Sequence, residues 1–205
     1  MTTPAPSAPT DEPPTFPSAP PERIELSDGR ALIRARPRWA ADSARAINES
    51  LEHLAPWMAW AQEPATEAGL REVYAAAAGW DARREFVFHL VEATADGGAR
   101  AIGGAGLHGR LGRTGLEIGY WVHVDRAGQG LATAATRALT DAAFAIEGIE
   151  RVRIQCEPAN AASARVPEKL GFALVGTVPG EDVCDGRAVQ QWVVEREAWV
   201  AGLRR

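Results

Sequence analysis

Several ingredients of common protein classes are scarce in this chain. It has two cysteines, Cys156 and Cys184, too few for a disulfide framework or a cysteine-rich metal cluster. Its four histidines lack the spacing of metal ligands, so we expect no bound metal. No apolar run approaches the ~18 residues of a membrane span, and the opening residues lack the basic start and apolar core of a signal peptide. These absences predict a cytoplasmic protein without a membrane partner.

Positively charged residues are outnumbered by negatively charged ones, 22 Lys and Arg against 27 Asp and Glu. The formal net charge is -5 and the sequence pI is about 5.5, which argues against broad electrostatic binding to nucleic acid. What is present is an ordinary globular composition, with 46% hydrophobic and 24% charged residues. A chain of 205 residues suits one domain with a sizeable core.

The first 21 residues differ from the rest in composition. They are mostly Pro, Ala, Ser and Thr, with Phe16 as the single aromatic residue. Such a segment buries too little surface to offset the entropy of ordering. The sequence therefore predicts a disordered or polyproline-like tail over 1–21 and a single domain over 22–205, with a partner-docking PxxP segment as the alternative for the tail.

From residue 22 onward, strand and helix periodicities alternate. A hairpin is predicted at 23–35 around the turn Ser27–Gly29, followed by helices at 39–54 and 66–80. Three consecutive antiparallel strands are predicted in REFVFHLVEA, ARAIGGAGLHG and LEIGYWVHV. A helix over 131–146, a strand over 151–157, a helix over 161–170 and the strands FALVGTV and AVQQWVVE follow. This order predicts a mixed α/β domain with a central, largely antiparallel sheet flanked by helices.

A glycine-spaced turn separates the third of those strands from the helix at 131–146. Without β-carbons at Gly128 and Gly130, several backbone N–H groups can converge on one anion. The helix N-terminus adds unpaired donors and partial positive charge. The turn lacks the Lys-Ser/Thr ending of a P-loop and the three-glycine spacing of the dinucleotide fingerprint. It is a candidate phosphate site, with an ordinary tight turn as the alternative.

The segment LEIGYWVHVDRAGQGLATAATRAL resembles the acetyl-coenzyme A (acetyl-CoA) motif of the GNAT superfamily of N-acetyltransferases, especially its Rim-type branch of ribosomal-protein N-terminal acetyltransferases. The family motif is Gln/Arg-x-x-Gly-x-Gly/Ala, and here it reads Ala-Gly-Gln-Gly-Leu-Ala over 127–132. Ala127 therefore departs from the usual Gln or Arg, which implies a modestly weaker site. Arg126 is a candidate for supplying the missing charge.

A second segment, EPANAASARVPEKLGFALVG, resembles the family's C-terminal signature, and the resemblance as a whole covers about 22–200. The alternative is an amphipathic helix that ends at a glycine. The resemblance implies a GNAT-like fold and acetyl-CoA as co-substrate. It implies that the cofactor-binding residues are Val122, His123, Val124, Arg126, Ala127, Gly128, Gln129, Gly130, Leu131, Ala132, Asn160, Ser163 and Lys169.

Glu117 is the candidate catalytic base. Alternation in LEIGYWV puts this carboxylate inside a strand, where a charge needs a water-filled cleft or a partner. In the Rim-type pattern, a Glu at this position is the usual candidate for polarising the attacking amine through water. An ion pair with Arg113 or Arg153 is the structural alternative. His123 is a second candidate base, and bulk water a third.

Ser163 is the candidate donor to the departing thiolate. Many family members use a tyrosine in the helix after the Asn, and in this register that place falls at Pro167, which has no proton to give. A serine hydroxyl can still donate a hydrogen bond. The alternative role for Ser163 is contact with the pantetheine arm or a turn cap, and Pro167 predicts a kink or early break of the helix.

The acceptor side is predicted to lie around 51–66, which resembles the acceptor-side helices of Rim-type proteins. His53, Trp57 and Trp60 are the candidate substrate contacts, and a hydrophobic plug or homodimer contact is the alternative for the two indoles. Glu63, Glu181, Asp182 and Asp185 are candidates for a negative rim that suits a cationic amine.

These observations together predict an acetyl-CoA-dependent N-acetyltransferase. The acceptor is a primary amine, either a protein N-terminus or a small molecule, attacked directly in a ternary complex. The cysteines are not needed as nucleophiles, because no base is evident beside either of them. The alternatives are transfer of a larger acyl group such as succinyl, which a cationic side chain near the acyl end of the cleft would indicate, and a non-catalytic CoA-binding module.

Overall fold

A computed structural model describes residues 14–75, 78–180 and 186–202. In chain order, its strands and helices are β1 (Arg23–Glu25), β2 (Arg30–Arg34), α1 (Ala40–Glu49), α2 (Leu51–Leu54), α3 (Glu67–Ala75), α4 (Ala78–Asp81), β3 (Glu85–Ala93), β4 (Ala99–His108), β5 (Gly115–Val122), α5 (Leu131–Ala145), β6 (Arg151–Cys156), α6 (Ala161–Lys169), β7 (Ala173–Pro179), β8 (Ala188–Glu195) and α7 (Arg196–Gly202). Short 3-10 helices occupy Pro37–Trp39, Gly112–Thr114 and Val124–Arg126.

The strands form one sheet in the order β1-β2-β3-β4-β5-β6-β8-β7. Every neighbouring pair in that order is antiparallel except β5 and β6, which are parallel. The helix α5 connects these two strands, as a parallel crossover requires. The predicted mixed, largely antiparallel α/β sheet is confirmed, including the N-terminal hairpin, whose turn residues Asp28 and Gly29 have φ of 59° and 69°.

The two faces of the sheet carry different side chains because strand residues alternate. Leu107, Leu116 and Ile118 share one face, where they join α5 in the main hydrophobic core. The other face carries His89, whose ring contacts Ser43 of α1 and Tyr74 of α3. The helices therefore cover both faces of the sheet. The cavity that they leave open beside the sheet is the candidate site.

The helices differ from the sequence prediction in two places, the break after Glu49 and the additional helix α7. The helix predicted at 39–54 is interrupted at Ser50, which is buried and accepts a hydrogen bond from the Val124 N–H at 3.1 Å. The helix predicted at 66–80 begins at Glu67 with the expected cap, since Thr66 Oγ1 accepts from the Gly69 N–H, and its described part ends at Ala75, with α4 following. The helix α7 was not predicted.

Part of the segment assigned to the tail packs against the domain. Phe16 is 1% exposed, its N–H donates to the Arg83 carbonyl, and its ring lies 6.2 Å from that of Phe86. The single aromatic residue of the segment thus supplies the apolar surface that its Pro- and Ala-rich neighbours lack. Packed structure therefore begins before residue 22 within the described chain, and residues 1–13 lie outside the description.

Candidate functional site

The parallel pair β5 and β6 separates along its length and opens a cleft in the sheet. Pairing covers only Gly115 to Ile118 against Arg151 to Ile154. Beyond that point β5 pairs with β4 alone, and the last two residues of β6 pair with β8 alone. A cavity of about 830 Å³ reaches this opening, with Gly119 and Tyr120 on one side and Gln155 and Cys156 on the other.

The glycine turn between β5 and α5 has the backbone that its sequence predicted. Gly128 and Gly130 have φ of 74° and 77°, in the left-handed region that favours glycine. A β-carbon built at either position has no heavy atom within 4 Å, so both positions face open space. Gly130 is the N-cap of α5 and offers no side chain to the first N–H groups of that helix. The turn is therefore a backbone donor site with room for an anion.

Arg126 is engaged elsewhere. Its guanidinium donates to both oxygens of Glu92 on β3, at 3.0 Å from Nε and 2.7 Å from Nη2. The hydrogen bonds from Arg126 lower the pKa of Glu92 to about 2, which keeps the carboxylate charged. The positive charge expected to compensate for Ala127 is thus already balanced, and the turn depends on its backbone N–H groups.

His123 and its neighbours fasten the end of β5 to the break between α1 and α2. The His123 ring accepts from the Asp125 N–H at Nδ1 and donates from Nε2 to Glu49 at 2.8 Å. Both ring nitrogens are therefore occupied, and the side chain is 8% exposed. Since the ring is buried with two partners, His123 is placed as an anchor of the turn rather than as a free base.

The start of α6 supports the other side of the opening. Asn160 caps this helix, since its Oδ1 accepts from the Ser163 N–H at 3.1 Å, and both residues line the cavity. Lys169 lies in the last turn of α6, exposed and away from the lining. The helix continues past Pro167 to Lys169, so the expected early break does not occur.

Tyr120 explains how the helix tolerates Pro167. Proline has no N–H to donate to the carbonyl of Ser163, four residues earlier. That carbonyl accepts from the Tyr120 hydroxyl at 3.0 Å instead, and the same hydroxyl lies 3.0 Å from Ser163 Oγ. Burial raises the pKa of Tyr120, so the phenol stays protonated. Pro167 stands where a tyrosine was expected, and its missing N–H leaves the Ser163 carbonyl free to accept from Tyr120.

Glu117 is held between two arginines. Its side chain is 3% exposed, Oε1 accepts from Arg110 at 2.6 Å, and Oε2 accepts from Arg153 at 2.6 Å. Glu117 does not line the cavity, whereas Arg110 does. The arrangement matches the ion-pair alternative for Glu117, with Arg153 as anticipated and Arg110 in place of Arg113. An amine or water would have to displace a guanidinium to reach either oxygen.

The acceptor side of the cavity is built largely from aromatic and glycine residues. Trp57 and Trp60 line it as expected, and the Trp60 ring packs edge-on against Trp121 with centroids 6.2 Å apart. His53 is exposed on α2 and is not among the lining residues. Glu63 lies at the wall, while the three other acidic residues of the expected rim, at 181, 182 and 185, fall outside the described residues.

Histidines of β3 and β4 also reach this cavity. His108 hydrogen-bonds through Nδ1 to Glu85, the residue opposite it on β3, and lies over the glycines at 106 and 119. His89 is nearly fully buried, and burial lowers its pKa to about 4, so its ring is neutral. Neither was singled out from the sequence. The alternating glycines of β4 were the available signal, because a strand without side chains leaves room beside it.

Two absences hold within the described residues. No cluster of three or more His, Cys, Asp or Glu side chains there is arranged to hold a metal ion. No helix in the described part of the chain combines the length and hydrophobicity that crossing a membrane requires.

Known proteins share both sequence and fold with this chain. A family model described as an acetyltransferase (GNAT) domain matches residues 32–173. YdaF of Bacillus subtilis (strain 168), by name a candidate ribosomal N-acetyltransferase, is 31% identical over 139 residues, which are 66% of this chain and 73% of YdaF.

Solved structures of similar fold contain coenzyme A or its acetyl form. RimL, a ribosomal L7/L12 alpha-N-protein acetyltransferase in complex with coenzyme A, matches with a TM-score of 0.75 and 19% identity over 86% of this chain and 99% of RimL. The microcin C7 self-immunity acetyltransferase MccE, in complex with acetyl-CoA and AMP, matches with a TM-score of 0.75 and 18% identity over 87% of this chain and 98% of MccE.

Proposed function

This chain belongs to the GNAT family of acetyltransferases, and from that premise we propose that it transfers acetyl from acetyl-CoA to the α-amine of a protein N-terminus. The observation that carries the proposal is the cleft between β5 and β6. It has a backbone donor turn near the end of β5 and, beyond the opening, an apolar cavity lined by the buried His89 and the half-buried His108. A long thioester with a phosphate group at one end and a reactive carbonyl at the other suits such a cleft.

The residues available for acetyl-CoA fit the two ends of that ligand. The N–H groups of the turn over 127–132 suit the pyrophosphate, because they need no side chain to bind an anion. Val122 lies on the edge of β5 that β6 has left, and His123 and Val124 continue the chain from there toward the turn. Asn160 and Ser163 border the pantetheine path from α6, whereas Lys169, at the far end of that helix, could reach only a phosphate outside the cavity.

An α-amine is the acceptor that the chemistry favours. The attacking nitrogen must be neutral, and an α-amine with a pKa near 7.7 is roughly one-sixth neutral at pH 7, against about one part in 2,500 for lysine. The apolar walls around Trp57 and Trp60 suit an extended peptide end, and Glu63 suits its charge. The YdaF relative and the RimL structure, both named for ribosomal-protein acetylation, support a protein acceptor.

Acetyl is a better donor group than a longer dicarboxylic acyl group. Arg110 is a cation at the cavity wall, which is the feature a succinyl carboxylate would need. Its guanidinium is ion-paired to Glu117, so the charge is not available to the donor. We therefore propose acetyl transfer by direct attack in a ternary complex.

A panel of acceptors tests this function. Peptides with free N-termini, lysine peptides with blocked N-termini, polyamines and aminoglycosides are compared by the rate at which CoA thiol is released. We expect the free N-terminal peptides to give the highest kcat/KM, and mass spectrometry to locate the acetyl group on the α-nitrogen. A preference for lysine or an aminoglycoside would contradict the acceptor class. Acetyl-CoA binding without turnover on any amine would favour the non-catalytic alternative.

Tyr120→Phe is expected to slow turnover by about 10-fold with little change in the dissociation constant of acetyl-CoA. In the wild type, the phenol donates to the Ser163 carbonyl and lies 3.0 Å from Ser163 Oγ, so it positions the residue whose hydroxyl would donate to the departing thiolate. Removing the phenol leaves the Ser163 carbonyl without its donor and should cost about 1 kcal/mol of stability.

The control for Tyr120→Phe is Tyr74→Phe, which removes the other tyrosine hydroxyl of the chain. Both variants are measured by single-turnover kinetics and thermal unfolding. Equal losses of turnover in the two variants would reduce Tyr120 to a packing role. If the hydroxyls of Tyr120 and Ser163 act together, adding Ser163→Ala to the Tyr120→Phe variant should cause little further loss of turnover.

A further inference from the structure

We propose that His108, oriented by Glu85, accepts the proton that the acceptor amine loses. The inference rests on the proposed acetyl transfer and names the residue that serves it. The two side chains come from adjacent antiparallel strands, where Glu85 of β3 lies directly opposite His108 of β4. Glu85 Oε1 is hydrogen-bonded to His108 Nδ1.

The carboxylate fixes which ring nitrogen of His108 is open. The hydrogen bond with His108 is the main cause that lowers the pKa of Glu85, so this carboxylate is ionised and only accepts. The proton of a neutral His108 ring therefore lies on Nδ1, and Nε2 carries the free electron pair. The hydrogen bond also fixes the ring plane, because Glu85 is anchored in the strand pairing.

The open nitrogen lies above the glycine floor of the cavity. A β-carbon built at Gly106 would meet His108 Nε2 at 2.9 Å, and one built at Gly119 would meet it at 3.3 Å. Gly106 and Gly119 are register partners on β4 and β5. The two glycines thus leave the room that the His108 ring occupies, next to the opening of β5 from β6. His108, Gly106 and Gly119 all line the cavity.

The other titratable candidates near the cleft are occupied or poorly suited. Both oxygens of Glu117 accept from guanidinium groups, and both ring nitrogens of His123 have partners. His89 lines the cavity, but burial holds its pKa at about 4, too low for efficient proton acceptance at neutral pH. Within the described residues, His108 combines access to the cavity with a free ring nitrogen.

The step balances in protons with His108 and solvent as the only proton carriers. The amine nitrogen forms a bond to the acetyl carbon, the carbon–sulfur bond breaks, and one amine proton passes to His108 Nε2. The thiolate leaves with a hydrogen bond from Ser163 and takes a proton from solvent as the product departs. His108 returns its proton to solvent, so no oxidant, reductant or second cofactor is needed.

His108→Gln is the direct test, because glutamine keeps a polar side chain but does not accept a proton at working pH. The acceptor is a peptide whose terminal nitrogen is an alkoxyamine, uncharged throughout the titration, so that the enzyme alone shapes the pH profile. We expect kcat to fall about 100-fold with an unchanged acetyl-CoA dissociation constant, and the acidic limb of the wild-type profile to disappear. Retention of that limb in His108→Gln would overturn the proposal.

The charged groups that adjoin the ring or line the same cavity come from several elements. They are Glu85 on β3, Arg110 after β4, Glu117 on β5, Glu157 after β6 and Glu63 across the cavity. Glu85 is a positioning residue, so Glu85→Gln should lower kcat about 10-fold and move the limb to lower pH rather than abolish it. The matched control is Glu147→Gln, which replaces an exposed carboxylate after α5 with a carboxamide. This variant should change neither kcat nor the acidic limb.

Chemical rescue separates a base from a packing role. His108→Ala vacates the ring's place, and added imidazole should restore at least one-tenth of the wild-type rate. A lack of rescue, with both variants folded by thermal unfolding and binding acetyl-CoA normally, would contradict the assignment. If the wild-type protein itself turned over no amine, the proposed function would fail first; wild-type turnover with an unaffected His108→Gln variant would reject only the base.

Discussion

Gly128→Val is expected to weaken acetyl-CoA binding by about 100-fold while lowering folding stability by only about 1–2 kcal/mol. The stability cost comes from forcing a β-branched residue to a φ of 74°. The binding cost comes from the new side chain, which would project into the open space above the donor turn, where a β-carbon now has no neighbour within 4 Å. Calorimetric titration with acetyl-CoA and thermal unfolding measure the two effects separately.

The matched control for Gly128→Val is Gly148→Val. Gly148 has a φ of 82° and the same open surroundings, but it follows the C-terminal end of α5, at the opposite end of the helix from the turn. We expect the same loss of stability and unchanged affinity for acetyl-CoA. Equal affinities for acetyl-CoA in the two variants would mean that the turn has no role in binding and that the pyrophosphate binds elsewhere.

Glu117→Gln is expected to destabilise the protein by about 3 kcal/mol while turnover per folded molecule falls less than about 5-fold. Removing the carboxylate leaves Arg110 and Arg153 facing one another without the negative charge that both now contact. For a chain of this size, that loss corresponds to roughly 6–12 °C in melting temperature. Differential scanning calorimetry and active-site-normalised kinetics check the two parts.

Two comparisons sharpen the Glu117 experiment. Glu147→Gln makes the same chemical change at an exposed site and should leave the melting temperature unchanged within about 1 °C. Arg153→Gln should be less harmful in the Glu117→Gln background than alone, since the two residues share one interaction. A Glu117→Gln variant that melts normally but has lost about 100-fold in turnover would restore Glu117 as the base and displace His108.

Much of the fold could be predicted because its signals are local. The alternation in β3, β4 and β5 and the long apolar stripe of α5 are complete within single segments. The break at Ser50 was not visible in this way, because Ser50 is engaged by the N–H of Val124, which is 74 residues away. Phe16 likewise was assigned to the tail because its partners, Arg83 and Phe86, are far along the chain.

In the candidate site, too, features set by a single residue were predictable and features set by distant partners were not. The glycine turn was predictable, because a positive φ is a property of one residue. The state of each charged side chain was not, because its partner lies elsewhere in sequence: Glu92 is 34 residues from Arg126, and Glu49 is 74 residues from His123. The same separation hid Tyr120, whose partner Ser163 is 43 residues away, and the pairing of His108 with Glu85.

The most direct test of acetyl transfer in this cleft is a single-turnover experiment followed by intact mass spectrometry. The protein is mixed with one equivalent of acetyl-CoA, first alone and then with an N-terminal peptide. We predict that no acetyl group appears on the protein in the first mixture, and that one CoA thiol is released for each acetylated peptide in the second. Accumulation of protein acetylated at Cys156, a buried residue of the cavity wall, or acetyl-CoA that stays intact with every amine, would contradict the account.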